Sequence, residues 1–305
     1  MISWKNWLVG ALVVRALAPV VTPRFRQPQT HPWRQPGRTV FVADREFLVR
    51  EAGPVDGPPI VLIHGLAGSS LGEWYQVAPA LAENHRVVLV DHRGHGLSAL
   101  SRGRYEISDV ADDIAGVLDQ LGVTRAHMVG YSLGSTIAQA FAYSYPGRID
   151  KLVLLGSFAH HPEPLRTLRA SGSVLLRGLE RIFGIGTSDV RAGYLLAAGA
   201  VKAEHGRWLW EETHRRDVDA GAQATLAMLR FDSRDWLGKL EVETLVVIPT
   251  RDQLVPVAWQ YELASLLKYP TVVELVGAYH EVPWVHPERL ADEIERFINP
   301  EREPG

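Results

Sequence analysis

Six apolar runs, Ile60–Ile63, Val87–Val90, His127–Val129, Leu152–Leu155, Leu245–Ile248 and Val272–Val276, carry no polar alternation, so each reads as a strand covered on both faces. Helix-like stretches lie between and after them, at Glu73–Ala82, Asp109–Leu121, Ser135–Tyr145, Val257–Leu267 and finally Pro287–Ile298. Such alternation restricts the chain to a mostly parallel sheet wound by right-handed crossovers. Ahead of it, Thr39–Ala43 and Glu46–Arg50 are β-prone runs joined at Asp44-Arg45, the pattern of a hairpin. The expected class is α/β, with a mostly parallel central sheet of about eight strands flanked by helices.

One segment interrupts the pattern. From Ser157 to Leu240, about 80 residues hold helical periodicity and no strand pattern. Leu175, Leu176, Leu179, Ile182 and Phe183 recur at helical spacing, and Trp208, Trp210 and Trp236 add large apolar surfaces. This reads as a helical cap or lid whose aromatics mostly pack it onto the sheet. The expected organisation is then an N-terminal apolar helix and proline-rich linker at 1–37, a core at 38–156 and 241–299, the cap insertion at 157–240 and a tail at 300–305.

The first 24 residues contain Trp4, Trp7 and two apolar runs separated by Arg15. A membrane-interface helix, a signal peptide ending near Ala16-Leu17-Ala18, and a helix packed on the protein's own surface all fit. A spanning helix needs about 20 apolar residues, more than this segment supplies. Residues 27–37, QPQTHPWRQPG, form an extended linker. Localisation therefore stays between cytoplasmic and peripheral membrane attachment through residues 1–24, with secretion open.

Charge narrows the partners. The 32 basic and 35 acidic residues leave a net −3, which gives no field to hold nucleic acid. The absence of cysteine excludes disulfides, thiolate metal sites and a cysteine nucleophile. His160-His161 and the Asp91–His95 run lack a convincing metal-ligand set, and the glycines at 184 and 186 do not follow a strand as a phosphate loop requires. No metal or cofactor is expected, and the oligomeric state stays open.

Gly130-Tyr131-Ser132-Leu133-Gly134 lies between a strand-like and a helix-like stretch. A serine in such a sharp turn is pushed outward on a strained backbone, and glycines two places either side let neighbouring chain approach. Ser132 is the candidate nucleophile. A serine hydroxyl is a poor nucleophile at neutral pH, so it needs a base within hydrogen-bond reach and a group to hold that base in the right tautomer.

Here the sequence resembles the α/β-hydrolase family, from Thr39 to Asn299. Besides the serine turn, three blocks carry the resemblance: His64-Gly65-Leu66-Ala67-Gly68 after the third strand, Asp91-His92-Arg93-Gly94-His95-Gly96-Leu97-Ser98 after the next, and an acid followed by a histidine near the C-terminus. The family places those two after its last two strands, which points to Asp252 in VVIPTRDQLVP and His280 in VVELVGAYHEVPW. The rival His286 falls at the start of the last helix and reads as structural. An alternative acid position after the sixth strand holds Ser157 in LLGSFAHH and no carboxylate.

The resemblance further implies an oxyanion hole from the backbone N–H groups of Leu66 and Leu133. His64 is expected to brace its loop, and Asp91 and Arg93 to hold a turn. The activity implied is hydrolysis of a carboxylic ester through an acyl-enzyme on Ser132, with a small-molecule ester substrate bearing an apolar acyl or alcohol group. Amide, lactone or carbon–carbon bond hydrolysis and a receptor-like binding module are the alternatives.

Overall fold

The computed structural model describes residues 33, 35–66, 68–98, 104–162, 172, 187–197, 199–214 and 218–301. The apolar segment 1–24, residues 27–32 and 34 of the linker, Ala67, the Leu175–Phe183 pattern and tail residues 302–305 lie outside them. Among the described residues no helix is long and apolar enough to cross a membrane.

Eight strands form one sheet: β1 Gly37–Val42, β2 Arg45–Ala52, β3 Pro59–Ile63, β4 Arg86–Val90, β5 Ala126–Tyr131, β6 Ile149–Leu155, β7 Thr244–Pro249 and β8 Pro270–Leu275. Their order is β1-β2-β4-β3-β5-β6-β7-β8. β1 pairs with β2, and β2 with β4, in antiparallel fashion, and all remaining neighbours are parallel. The sheet is thus mostly parallel, with an antiparallel hairpin on one flank. For the first five unalternating runs the reason is that successive residues feed two separate cores. Val61, Val88, Met128, Leu152 and Val246 pack on one face, Ile60, Leu62, Val87, Val129, Val153 and Leu245 on the other. The sixth, Val272–Val276, expected to be covered on both faces, instead forms β8 at the end of the strand order and stops at Leu275, with Val272 41% and Val276 76% exposed because the last strand is only partly covered.

Helices cover both faces. They are α1 Ser70–Trp74, α2 Ala78–Leu81, α3 Ile107–Gln120, α4 Leu133–Ser144, α9 Val257–Leu266, α10 Val282–Val285 and α11 Pro287–Ile298, with α5 to α8 belonging to the insertion below. Two local expectations shift. The stretch 73–82, predicted as one helix, is two: Pro79 has no N–H for a continuing helix, so the chain breaks after Trp74 and restarts at Ala78. The hairpin turn is Ala43-Asp44, because Arg45 pairs with Val42 and places its guanidinium 3.2 Å from buried Asp113.

Between β6 and β7 the described residues form α5 Thr187–Ala197, a 3-10 turn, α6 Gly206–His214, α7 Val218–Arg230 and α8 Arg234–Leu237. The two ends of this insertion are tied together by a bridge between His160 and Asp232 and by the Ser233 N–H donating to the Ala159 carbonyl at 2.9 Å. Trp208 is buried edge-on to Tyr75, and Trp236 stacks on Tyr143 of α4, so both anchor the insertion to the core.

The order of strands reverses between β3 and β5. The crevice beyond the C-terminal ends of these neighbours is where open α/β sheets bind ligands, and there the candidate residues collect.

Candidate active site

Ser132 joins β5 to α4 with φ 54° and ψ −116°, the first-corner geometry of a type II′ turn that normally takes glycine. Such a backbone costs roughly 1–3 kcal/mol and persists only where its surroundings over-determine it. They do. The Ser132 N–H donates to the Leu155 carbonyl at 2.9 Å, and the Ser132 carbonyl accepts the Ser135 N–H at 2.9 Å and the Ser135 hydroxyl at 2.5 Å. The flanking glycines are obligatory: a Cβ on Gly130 would lie 2.4 Å from the Gly134 carbonyl oxygen, and one on Gly134 2.2 Å from that of Ile63. Ser132 itself is half-buried.

His280 follows β8, and its Nδ1 lies 2.7 Å from Oδ2 of Asp252, which follows β7. Both side chains are buried. The carboxylate is fully engaged, for Oδ1 accepts the N–H groups of Leu254 and Val255 at 2.9 Å each and Oδ2 also accepts Gln260 Nε2 at 3.1 Å. With Nδ1 donating to the acid, the imidazole keeps Nε2 as its acceptor. The Tyr131 hydroxyl donates to the His280 carbonyl at 3.1 Å, which ties the histidine loop to the residue before the serine.

Gly156 closes the arrangement. It follows Leu155, the acceptor of the Ser132 N–H, and adopts φ +57°. A Cβ there would stand 3.0 Å from His280 Cε1, 3.2 Å from its Nδ1 and 3.5 Å from Asp252 Oδ2. The ends of β5, β6, β7 and β8 therefore converge, and Ser132, Asp252 and His280 share one neighbourhood.

The loop after β3 meets it from the other side. A Cβ on Gly65 would fall 3.3 Å from the Ser132 Cβ, so Gly65 and the following Leu66 sit beside the serine. Leu133 opens α4, where the first N–H groups have no acceptor inside the helix. Both expected oxyanion donors thus flank Ser132.

The bracing residues lie underneath. His64 Nδ1 donates to the Gly65 carbonyl at 2.9 Å while its Nε2 accepts the His92 N–H at 3.3 Å, and the two rings stack at 3.7 Å. Burial first, then the neighbouring His64 and His95, hold the His92 pKa well below the ordinary histidine value. Asp91 accepts from the Ser70 N–H and hydroxyl at 2.8 and 2.6 Å and from the Leu97 N–H at 3.1 Å. Arg93 turns away to Asp113, 2.5 Å off, on α3. His286 caps α11. Ser157, at the alternative acid position, is 2.7 Å from the Ser135 hydroxyl and 3.0 Å from Gln139 Nε2, behind the serine turn.

Four contributors escaped the sequence: Gly156, Tyr131, Gln260 and Glu73, whose carboxylate accepts the Gly65 N–H at 2.5 Å. Only Gly156 left a trace, a glycine at a strand end.

A family model for the alpha/beta hydrolase fold matches residues 58–184. The chain is 31% identical over 252 residues to RutD of Azorhizobium caulinodans, assigned as a carbamate hydrolase, across 76% of this chain and 88% of RutD. It is 30% identical over 256 residues to the pimeloyl-[acyl-carrier protein] methyl ester esterase of Aeromonas hydrophila, across 79% and 96%. The crystal structure of the enol-lactonase from Burkholderia xenovorans LB400 superposes with a TM-score of 0.74 at 24% identity, covering 86% of this chain and 99% of that one, a likeness of fold. Sheet topology, the serine turn and these relatives agree, and the chain belongs to the α/β-hydrolase family.

Proposed function

We propose that this hydrolase cleaves a carboxylic ester through an acyl-enzyme on Ser132. The observation that carries the reading is the buried His280–Asp252 pair at 2.7 Å, beside a serine held at φ 54°. In this mechanism His280 Nε2 takes the Ser132 hydroxyl proton as Oγ attacks the ester carbonyl. Asp252 holds the tautomer and stabilises the imidazolium, and the N–H groups of Leu66 and Leu133 receive the oxyanion. The imidazolium then protonates the departing alcohol. Water, deprotonated by the same histidine, attacks the acyl-enzyme and releases the acid.

Two relatives carry names for carbamate and for methyl ester hydrolysis, and both names describe a carbonyl bearing an oxygen or nitrogen leaving group. That shared chemistry supports attack on an acyl carbon. We infer an apolar acyl or alcohol group from the aromatic-rich insertion over residues 157–240. A fluorophosphonate probe tests the reading: prompt labelling, abolished in Ser132→Ala, is expected together with turnover of p-nitrophenyl esters. Folded wild-type protein that neither labels nor turns over would overturn it in favour of a binding module. A lactone or carbamate turned over far faster than any acyclic ester would reassign the leaving group.

A further inference from the structure

The loop that carries Leu66 is gripped from behind by a carboxylate. Glu73 on α1 is 1% exposed, and its Oε2 accepts the Gly65 N–H at 2.5 Å. The loop wraps it so closely that a Cβ on Gly68 would come 2.2 Å from Glu73 Oε1. On the other side, Gly65 is against the serine turn, its would-be Cβ 3.2 Å from the Tyr131 ring and 3.3 Å from the Ser132 Cβ. Gly65 is therefore fixed between Glu73 and the proposed nucleophile, and the next peptide is the one that carries the Leu66 N–H.

α1 is a rigid mount for this carboxylate. Ser69 caps it by accepting the Gly72 N–H at 3.0 Å, and the same hydroxyl donates to Glu212 Oε2 on α6 of the insertion at 2.7 Å. Trp284 Nε1 donates to the Gly72 carbonyl at 2.9 Å, and Asp91 takes the Ser70 N–H. A side-chain acceptor anchored in this way fixes the orientation of the peptide that donates to it.

We propose that Glu73 is a positioning residue for the oxyanion hole: by holding the Gly65 N–H it sets the Gly65–Leu66 peptide so that the Leu66 N–H meets the developing oxyanion. The proposal rests on the acyl-enzyme reading. Glu73 acts through the loop and does not touch substrate. A donor aligned to the transition state and not to the ground-state carbonyl raises kcat and leaves KM nearly alone.

The test uses Glu73→Ala, Glu73→Gln and Glu73→Asp in the full chain, with p-nitrophenyl butyrate kinetics and fluorophosphonate labelling. Removing an oxyanion donor outright costs about 10²–10³ in kcat, so misaligning one in E73A is expected to cost about 10–100-fold, with KM within about threefold. E73Q keeps an amide oxygen for the Gly65 N–H and is expected to recover most of that loss. E73D, shorter by one methylene, is expected to fall with E73A, and it carries the test if E73A does not fold. Folded E73A or E73D with wild-type kcat, or E73Q as slow as E73A, overturns the proposal while leaving Ser132 in place. Wild-type protein that neither labels nor turns over overturns the acyl-enzyme reading and this proposal with it.

Discussion

Replacing Gly156 by alanine adds one methyl group against the imidazole of His280. Its Cβ would stand 3.0 Å from Cε1 and 3.2 Å from Nδ1, whereas relaxed carbon contacts lie at about 3.5–4.0 Å. The ring must retreat by roughly 0.5 Å or more to restore that spacing. Misplacing reacting groups by about 1 Å costs on the order of 10²-fold in rate, so kcat for an ester is expected to fall about 10–100-fold. Stability responds less. The φ of +57° strains an alanine by roughly 1–2 kcal/mol, while the stiffer unfolded chain returns about 0.4–1 kcal/mol. The net loss is about 1 kcal/mol, a fall in Tm of about 2–4 °C for a domain of this size. Steady-state p-nitrophenyl butyrate hydrolysis and a circular dichroism melt, run on the same preparation, separate the two effects. A G156A protein that melts within this range yet keeps kcat within about twofold of wild type would refute the idea that Gly156 sets the imidazole's position.

Two further outcomes are expected. Ser132→Gly and Ser132→Ala should both be inactive, but S132G should be the more stable by about 1–2 kcal/mol, since glycine escapes roughly 1–3 kcal/mol of strain and gives back about 0.5–1 in chain entropy; equal urea midpoints would mean the turn is unstrained. His127 has its pKa lowered to about 4, chiefly by burial, opposed by Asp150 and reinforced by His85 and Lys151. Between an unfolded value of about 6.5 and that folded value the unfolded chain binds more protons, so stability falls as pH drops through this window. His127→Gln should therefore lose less stability than wild type between pH 7 and pH 4.5 in urea melts, and an unchanged acid loss would exclude His127 as a source.

The relation of sequence to site is clearest at the nucleophile. Gly130-Tyr131-Ser132-Leu133-Gly134 was legible because a backbone shape that only closely spaced glycines permit must be written locally, and the distances from Gly134 to Ile63 and His64 show why no larger residue fits. Asp252 and His280 were read from the family resemblance, which places an acid and then a histidine after the last two strands; strand ends in a parallel sheet meet at one edge, and the two side chains stand 2.7 Å apart there. Gln260 and Tyr131 were not legible, for a glutamine on a helix or a tyrosine in an apolar strand bears no mark of the acceptor it finds across the fold. The break at Pro79 was present in the sequence as a residue without an N–H, yet the apolar spacing of 73–82 concealed it.

By itself the sequence determined the class of fold, the strand-by-strand plan and the place of the serine, because these depend on apolar periodicity and on glycine at fixed offsets, both local properties. Only the tertiary structure decided that Glu73 reaches back eight residues to the Gly65 N–H, that Gly156 lies under the imidazole, and that Glu212 of the insertion reaches Ser69 at the start of α1. Those contacts join segments whose separation along the chain is set by connecting elements, and a buried carboxylate or an absent methyl group acquires its meaning from what packs against it.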